Sequence, residues 1–216
     1  LGGAFYIVNE SEQVVITQFG KPVGSPITTP GLKIKKPFLE TANYFDKRFL
    51  AWDGAPKQVS TRDKRFININ TYARWRISDP LQYAKRLFDE SKALTRLGSV
   101  LEGATQNAIA NHDLIELVRS SNRDYAANNA DSDQSKKDKA IIESGRDALT
   151  KEILELAKGS TSDLGIQILD FKFKRINYVP EVRKKVYERM ISERKRIAEE
   201  FRSQGAGESA RISGQK

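Results

Sequence analysis

Residues Phe66 to Ile77 read FININTYARWRI and carry the clearest structural signal in the chain. Apolar or small residues alternate strictly with polar ones along the whole stretch, which is the pattern of a β-strand with one buried face. The alternation therefore predicts a sheet that is packed on one side only. The inner face is assigned to Ile67, Ile69, Thr71, Ala73, Trp75 and Ile77, and the outer face to Asn68, Asn70, Tyr72, Arg74 and Arg76.

Downstream of this strand the pattern changes to a helical one at Ser78-Asp79-Pro80. A Ser or Asp side chain can cap a helix, and proline suits the first helical turn. The last predicted strand has a shift of its apolar phase between Ile168 and Leu169, which indicates a bulge. The spacing predicts helices over 81–88, 91–110, 114–118 and 139–157, the last ending at Lys158-Gly159-Ser160, and a strand over 164–176.

Upstream of it, short strands alternate with turn signals. Gln13 to Phe19 is rich in branched residues and is followed by Gly20, which predicts a strand that ends there. Prolines at 22, 26 and 30 interrupt regular structure before the next strands. Thr61 to Lys64 is predicted to form a hairpin turn leading into the Phe66 strand. The remaining strands are predicted over 32–36 and 42–52.

The composition excludes several kinds of chemistry. The 216 residues include no cysteine and a single histidine, His112. Disulfides, thiolate metal sites and cysteine nucleophiles are therefore absent, and a Ser-His-Asp triad or a zinc site would depend on that one histidine. His112 is interpreted as a helix-end or surface residue. Carboxylate or lysine chemistry is not excluded by composition, but no nucleophile with a base is found, so we expect no catalytic, cofactor-binding or metal-binding residues.

The chain is basic, which raises nucleic-acid binding as an alternative function. It has 37 Lys and Arg against 28 Asp and Glu, a formal net charge of +9. However, basic residues are interspersed with acidic ones throughout, and no aromatic-basic module such as an RRM signature is present. We therefore expect no nucleic-acid partner, and a salt-dependent gel shift would test this.

The first residues, Leu1 to Val8, are uncharged and permit two interpretations. One is a buried first strand. The other is the end of a membrane anchor, although a spanning helix needs roughly 20 apolar residues, so this segment cannot span alone. In the second interpretation Phe5 and Tyr6 would lie at the membrane–water interface, where aromatic residues are enriched.

Two later segments are highly polar. Arg119 to Lys139 has few apolar residues and is interpreted as an exposed loop or frayed helix end. From Pro180 onward the chain is predicted to be a heavily charged helix with a thin apolar stripe, which favours contact with a partner helix. The alternative is a solvated helix docked on its own sheet. The stripe consists of Val182, Val186, Met190, Ile197 and Phe201.

The order of these segments resembles the SPFH, or band 7, family, which includes stomatin, prohibitin, flotillin and the bacterial HflK and HflC proteins, with the HflC branch the most similar. No single motif is specific, but their order and spacing together are. The resemblance covers nearly the whole chain. The motifs are Glu12 to Lys21, Pro30 to Phe38, Ser60 to Lys64, Trp75 to Pro80, Gly165-Ile166, Ile176 to Val182, Met190 to Arg194 and Arg202 to Gly205.

The resemblance implies an α+β fold, in which an SPFH domain with a twisted, mainly antiparallel sheet and packed helices is followed by the start of a long helix. The implied organisation is the end of an anchor over 1–8, an SPFH domain over 9–178 and an oligomerising helix over 179–216. The SPFH domain is divided near residue 57 and carries a polar insertion over 119–139. It implies a non-enzymatic scaffold at the bacterial inner membrane, with a single-pass N-terminal anchor and a periplasmic soluble domain. The implied partners are an HflK-like protein, the AAA+ membrane protease FtsH, membrane lipid and further copies through the C-terminal helix. A stomatin- or prohibitin-like membrane scaffold without FtsH is the alternative.

A membrane-contact site is predicted around the loop Pro37-Phe38-Leu39. Phe38 and Leu39 are expected to enter the membrane interface, while Lys33, Lys35 and Lys36 meet lipid phosphates. A basic residue close to an anionic surface gains about 1 kcal/mol, so three together are significant. The alternative is that Phe38 folds inward at the end of a strand. With Phe5 and Tyr6, these residues form the expected membrane-contact set.

Overall fold

The computed structural model of the chain describes residues 3–120, 142 and 144–214. It divides into two compact units, Leu1–Ile176 and Asn177–Lys216. Within the described residues, the first unit contains three sheets and four α-helices, and the second consists largely of one long helix. Antiparallel strands and packed helices followed by a long helix confirm the predicted α+β fold.

Short strands form two small sheets in the first part of the chain. In one sheet, β2 (Glu12–Gln18) lies between β3 (Lys21–Pro22) and β5 (Glu40–Asp46). In the other, β1 (Phe5–Val8) pairs antiparallel with β4 (Gly31–Ile34). A buried cluster of Val8, Val14 and Ile16, with Tyr6, joins the two sheets. Of the two interpretations of the N-terminus, a strand is thus found over Phe5–Val8.

The second part is organised around β8, which spans Phe66–Ile77 as predicted. Every residue assigned to its inner face is buried, and none of those assigned to its outer face is. The single strand predicted over 42–52 is wrong, because β5 ends at Asp46 and a separate strand begins at Leu50. Strands β6 (Leu50–Asp53), β7 (Lys57–Ser60) and β9 (Ile166–Tyr178) all pair with β8.

Strands β6 and β7 pair antiparallel with successive parts of β8, and the register shifts by one residue between them. The backbone N–H of Gly54 donates to the carbonyl of Thr71 at this shift. A Cβ on Gly54 would lie 2.6 Å from the Thr71 hydroxyl oxygen and from the Trp52 ring, so only glycine fits without rearrangement. The two strands thus form a kinked ribbon along β8.

The described residues form four α-helices before the last strand, namely α1 (Pro80–Arg86), α2 (Glu90–Ala110), α3 (Leu114–Val118) and α4 (Gly145–Thr161). Helix α2 packs against β7 and α4, whereas α1 packs against β2 and β3. Asp79 caps α1 as predicted, since its Oδ1 accepts hydrogen bonds from the backbone N–H groups of Leu81 and Gln82. The hydrophobic core of the helical layer includes Leu97 and Leu101 of α2 and Leu149 and Ile153 of α4, all fully buried.

The connection from α4 to β9 differs from the prediction. Lys158-Gly159-Ser160 does not end α4, which continues to Thr161 and then tightens into a 3-10 turn over Ser162–Leu164. Buried Ala157 and Thr161 anchor this last turn. In β9 the buried positions change phase around Leu169 and Asp170, in agreement with the predicted phase shift. The predicted polar insertion, apart from Arg119 and Ser120, and the predicted start of α4 lie outside the described residues.

The second unit contains α5, which spans Pro180–Gly214. The predicted helix is therefore confirmed and extends through Gly205-Ala206-Gly207. None of its residues is buried.

Candidate membrane and assembly surfaces

The outer face of the β1–β4 ladder is apolar. Phe5 pairs with Ile34, and Ile7 pairs with Leu32. All four side chains are exposed, Ile34 to 74%. Cross-strand neighbours on one face lie close enough to form a continuous surface. An apolar strand pair thus faces outward in a protein with a strongly charged composition.

The inner face of the same ladder holds Tyr6 and Val8. Tyr6 is only 7% exposed and packs in the cluster with Val14 and Ile16. Alternation places it on the side opposite Phe5, because successive side chains of a strand point to opposite faces. This corrects the expectation that Tyr6 contacts a membrane surface, whereas Phe5 is exposed as expected.

The predicted loop Pro37-Phe38-Leu39 forms the tip of a turn between β4 and β5. Backbone hydrogen bonds hold its base, since the N–H of Glu40 donates to the carbonyl of Lys36 and the N–H of Lys36 donates to the Glu40 carboxylate. The Phe38 side chain is fully exposed, and Leu39 is exposed as well. The alternative that Phe38 folds inward is therefore wrong.

The three lysines near this turn differ in their surroundings. The Lys33 amine donates to the Thr29 hydroxyl over 3.1 Å, and the Lys35 amine donates to the Glu40 carbonyl over 2.9 Å. Both side chains are half-buried. Lys36 is the most open, with its side chain 74% exposed and its amine 4.0 Å from the Glu40 carboxylate. Lys36 is thus the lysine of this group that is best placed to reach a phosphate.

Phe19 is a further exposed aromatic residue that the sequence pattern assigned to a strand. It follows β2 at a hairpin turn, and 84% of it is exposed. The pairing of Gln18 with Glu40 brings this turn beside Leu39, at the same end of the sheet as Phe38. We define Phe5, Phe19, Ile34, Phe38 and Leu39, with Ile7 and Leu32 behind them, as the apolar end surface.

Two residues of the apolar end surface adopt a backbone conformation that is unfavourable for their type. Phe19 has φ 49° and Phe38 has φ 66°, both in the left-handed region. A non-glycine residue in this region costs about 1–2 kcal/mol, because Cβ approaches a backbone carbonyl oxygen. Phe19 is 84% exposed and Phe38 fully exposed, so packing inside the domain does little to offset this cost.

The predicted apolar stripe lies on α5, and most of its side chains are exposed. Met190 is 53% exposed and Phe201 68%, and Ile197 is also exposed. Val182 and Val186 are half-buried. Ile212, which sequence reasoning missed, continues the series, so Met190, Phe201 and Ile212 recur every eleven residues. This period gives 3.67 residues per turn, which suits nearly straight or right-handed packing of helices.

Ion pairs within α5 surround this stripe. Arg196 contacts both Glu193 and Glu200, and Arg211 contacts Glu208. The hydrogen bond from Arg196 lowers the pKa of Glu193, and that from Arg211 lowers the pKa of Glu208. Pairs three and four residues apart support the helix itself. Arg194 and Glu208 lie between the apolar positions, so the stripe is interrupted by charge.

His112 lies at the end of α2, as predicted. Its Nδ1 is 2.8 Å from the Ala108 carbonyl, while Nε2 is 3.9 Å from the Glu116 carboxylate and 3.8 Å from that of Glu152. Glu116 is buried. Within residues 3–120, 142 and 144–214, no group of three His, Cys, Asp or Glu side chains is arranged to hold a metal ion. No helix of the described part is long and apolar enough to cross a membrane.

Comparison with known proteins gives consistent matches. The model of the SPFH domain / Band 7 family matches residues 6–206. Protein HflC of Borreliella burgdorferi is 37% identical over 97% of this chain and 66% of that protein. Protein HflC of Treponema pallidum is 32% identical over 95% of this chain and 66% of that protein. The modulator of FtsH protease HflC of Escherichia coli K12 is 29% identical over 96% of this chain and 69% of that protein. The chain thus spans just under two thirds of the length of the first two relatives.

Proposed function

Since this chain belongs to the SPFH domain / Band 7 family, we propose that it is a subunit of an HflC-type membrane scaffold that acts through assembly and not through catalysis. The relatives named HflC support this type of role, and one of them is named a modulator of FtsH protease. The single observation that carries the proposal is this similarity along 97% of the chain. We further propose an HflK-like partner and an FtsH-like protease as the protein that the scaffold modulates.

The location proposed with this function is the bacterial inner membrane, with a single-pass N-terminal anchor and the soluble domain on the periplasmic side. The family resemblance is the basis for this topology. The apolar end surface supports a position close to lipid, because contiguous apolar side chains without cover mark interaction sites. Phe5, Phe38 and Leu39 would contact the interface, and Lys33, Lys35 and Lys36 the phosphates. Each cation near an anionic surface adds about 1 kcal/mol.

The assembly contact proposed for this scaffold is α5. Val182, Val186, Met190, Ile197 and Phe201 would pack against an equivalent helix of another subunit. Their narrow stripe gives a weak contact for a single pair of helices. When many anchored copies are aligned side by side, each further contact forms at a high effective concentration, so weak contacts add up to a stable assembly.

Affinity purification of the native protein from its own membranes tests the proposal. We expect an HflK-like protein and an FtsH-like protease to be recovered together with it in a complex of many subunits. A membrane complex without the protease would favour the stomatin- or prohibitin-like alternative. Recovery of the protein alone, or with nucleic acid that survives high salt, would overturn the proposal.

A further inference from the structure

We infer that Phe19 and Phe38 form a pair of aromatic prongs that insert together into an anionic lipid interface. The inference rests on the proposed membrane scaffold and adds Phe19, which neither the sequence pattern nor the comparisons point to. Three observations carry it, namely the position of the two rings, their backbone conformation and the charges beside them.

The two rings lie at one end of one sheet although they come from different turns. The Phe19 turn connects β2 to β3, and the Phe38 turn connects β4 to β5. Because Gln18 pairs with Glu40, the two turns follow neighbouring strands at the same edge. With 84% of Phe19 and all of Phe38 exposed, both side chains project beyond the backbone that supports them.

Phenylalanine is an unfavourable residue for the backbone conformation of the turn at Phe19. Phe19 and Gly20 are its central residues, and both have positive φ, 49° and 79°. A two-residue hairpin with this conformation favours Asn-Gly or Asp-Gly, because asparagine tolerates the left-handed region. The Phe38 turn has the same unfavourable feature. Since neither ring is packed within the domain, the interaction that offsets this conformation comes from outside it.

A third phenylalanine with positive φ, Phe88, has a ring contact inside the domain. Phe88 has φ 61° and is 51% exposed, but its ring packs edge-on against Phe45 with centroids 6.3 Å apart. Phe45 pairs with Gln13, at the other end of the β2–β5 ladder from Phe19. Phe88 is therefore a matched control that has the same residue type and conformation at the opposite end.

The charges beside the prongs identify the occupant as an anionic bilayer surface. Lys21 directly follows the Phe19 turn and is exposed, and Lys36 directly precedes the Phe38 turn. The nearby acidic group, Glu40, is largely covered and accepts the Lys36 backbone hydrogen bond. Two apolar tips that are each flanked by a lysine match the layered chemistry of an interface, in which acyl chains lie beneath phosphates.

The experiment measures stability and lipid binding separately for Phe19→Asn, Phe38→Asn and Phe88→Asn. Binding is measured by flotation with phosphatidylcholine–phosphatidylglycerol vesicles and with pure phosphatidylcholine vesicles, and stability by urea unfolding. We expect Phe19→Asn and Phe38→Asn each to lower binding to the anionic vesicles by about tenfold, since each removes a large inserted ring. Their unfolding midpoints should stay equal or rise, because asparagine suits the turns. Phe88→Asn should lower the midpoint and leave binding unchanged.

A second measurement locates the rings directly. In Phe19→Trp and Phe38→Trp variants, brominated lipids should quench the new fluorescence, whereas the natural Trp52 and Trp75 are buried and stay unquenched. Unchanged binding by both Asn variants, or a loss of binding only together with a loss of stability, would overturn the inference. Absence of quenching with intact vesicle binding would do so too, because another surface of the protein would then contact the lipid. These outcomes are independent of whether an FtsH-like protease is recovered from native membranes.

Discussion

The strand β8 and the β1–β4 ladder both have a buried face and an outward face, but their outward faces differ. Outside β8 the chain places Asn, Tyr and Arg side chains, and two of these form polar contacts with β9, Arg74 with Asp170 and Arg76 with Gln167. Outside the ladder it places Phe5, Ile7, Leu32 and Ile34. The first arrangement is that of a sheet facing water. The second leaves an apolar face without cover, which indicates a surface used for contact.

This difference separates residues that stabilise the fold from residues that serve an interaction. A buried side chain contributes to the free energy of unfolding, whereas an exposed apolar side chain contributes little and favours aggregation. Substitutions on the two faces of each strand pair should therefore have distinct effects on stability and on lipid binding.

The largest expected effect is in β8. Trp75 is fully buried, so Trp75→Ala should lower the free energy of unfolding by about 3–5 kcal/mol through the cavity that it leaves. Arg74, the next residue on the outer face, forms an exposed ion pair with Asp170, and Arg74→Ala should cost under about 1 kcal/mol. Urea unfolding of both variants measures this, and similar losses would contradict the assignment of faces.

The connection into β9 should show the next largest effect. Gly165 has φ 71°, and a Cβ there would lie 2.3 Å from the Asp79 carbonyl oxygen. Gly165→Ala should therefore lower the free energy of unfolding by about 1–3 kcal/mol or more, since the left-handed conformation and the close contact both oppose a side chain. Gly159→Ala, in an open position within α4, is the matched control and should be neutral or stabilising. Thermal unfolding of the two variants measures the difference. A Gly165→Ala variant with unchanged stability would show that this turn can rearrange freely.

On the β1–β4 ladder, substitutions of two neighbouring residues should affect stability and lipid binding separately. Val8→Ser should destabilise the protein strongly, because Val8 is buried in the cluster. Ile7→Ser should change the free energy of unfolding by no more than about 0.5 kcal/mol, as for surface substitutions in general. It should nevertheless lower binding to anionic vesicles several-fold in a flotation assay. If Ile7→Ser unfolds the protein as Val8→Ser does, the outer face is part of the core.

The smallest effect is expected at an ion pair away from both faces. Arg62 donates two hydrogen bonds to Asp113, and these bonds lower the pKa of the Asp113 carboxyl. A lowered pKa adds stability above the usual titration range of aspartate, and this stability is lost as the pH falls through the lowered value. Asp113→Asn should therefore reduce stability slightly at neutral pH and show a smaller loss below about pH 4 than the unaltered chain. Urea unfolding midpoints of the variant and the unaltered chain, measured from neutral pH to below about pH 4, test this prediction. If the two midpoints fall in parallel with pH, other carboxylates cause the sensitivity to acid.

Sequence periodicity was sufficient for β8 and for the cap at Asp79, because both signals are local. It was not sufficient for the outer face of the ladder, since an apolar residue gives the same signal whether it is buried or exposed. Pairing Phe5 with Ile34 brings distant segments together, and no local pattern encodes it. Phe19 was assigned to a strand because Phe-Gly lacks the usual Asn-Gly signal of a tight hairpin turn.

The end of α4 was mispredicted for a related reason. A glycine inside a helix costs about 1 kcal/mol relative to alanine, so the sequence around Gly159 predicts the end of a helix. Burial of Ala157 and Thr161 outweighs that cost. Burial gives no such explanation for α5, which continues through Gly205 and Gly207 although none of its residues is buried.

In the proposed function, this protein is one subunit of a membrane assembly that is held together through α5. The most direct test is the mass of the complex extracted with mild detergent from native membranes, for the native protein and for a Met190→Ser, Phe201→Ser variant. We predict a large complex containing an HflK-like partner for the native protein, and a much smaller particle that still fractionates with membranes for the variant. A native protein that is extracted as a monomer, or a variant complex of unchanged mass, would contradict the account.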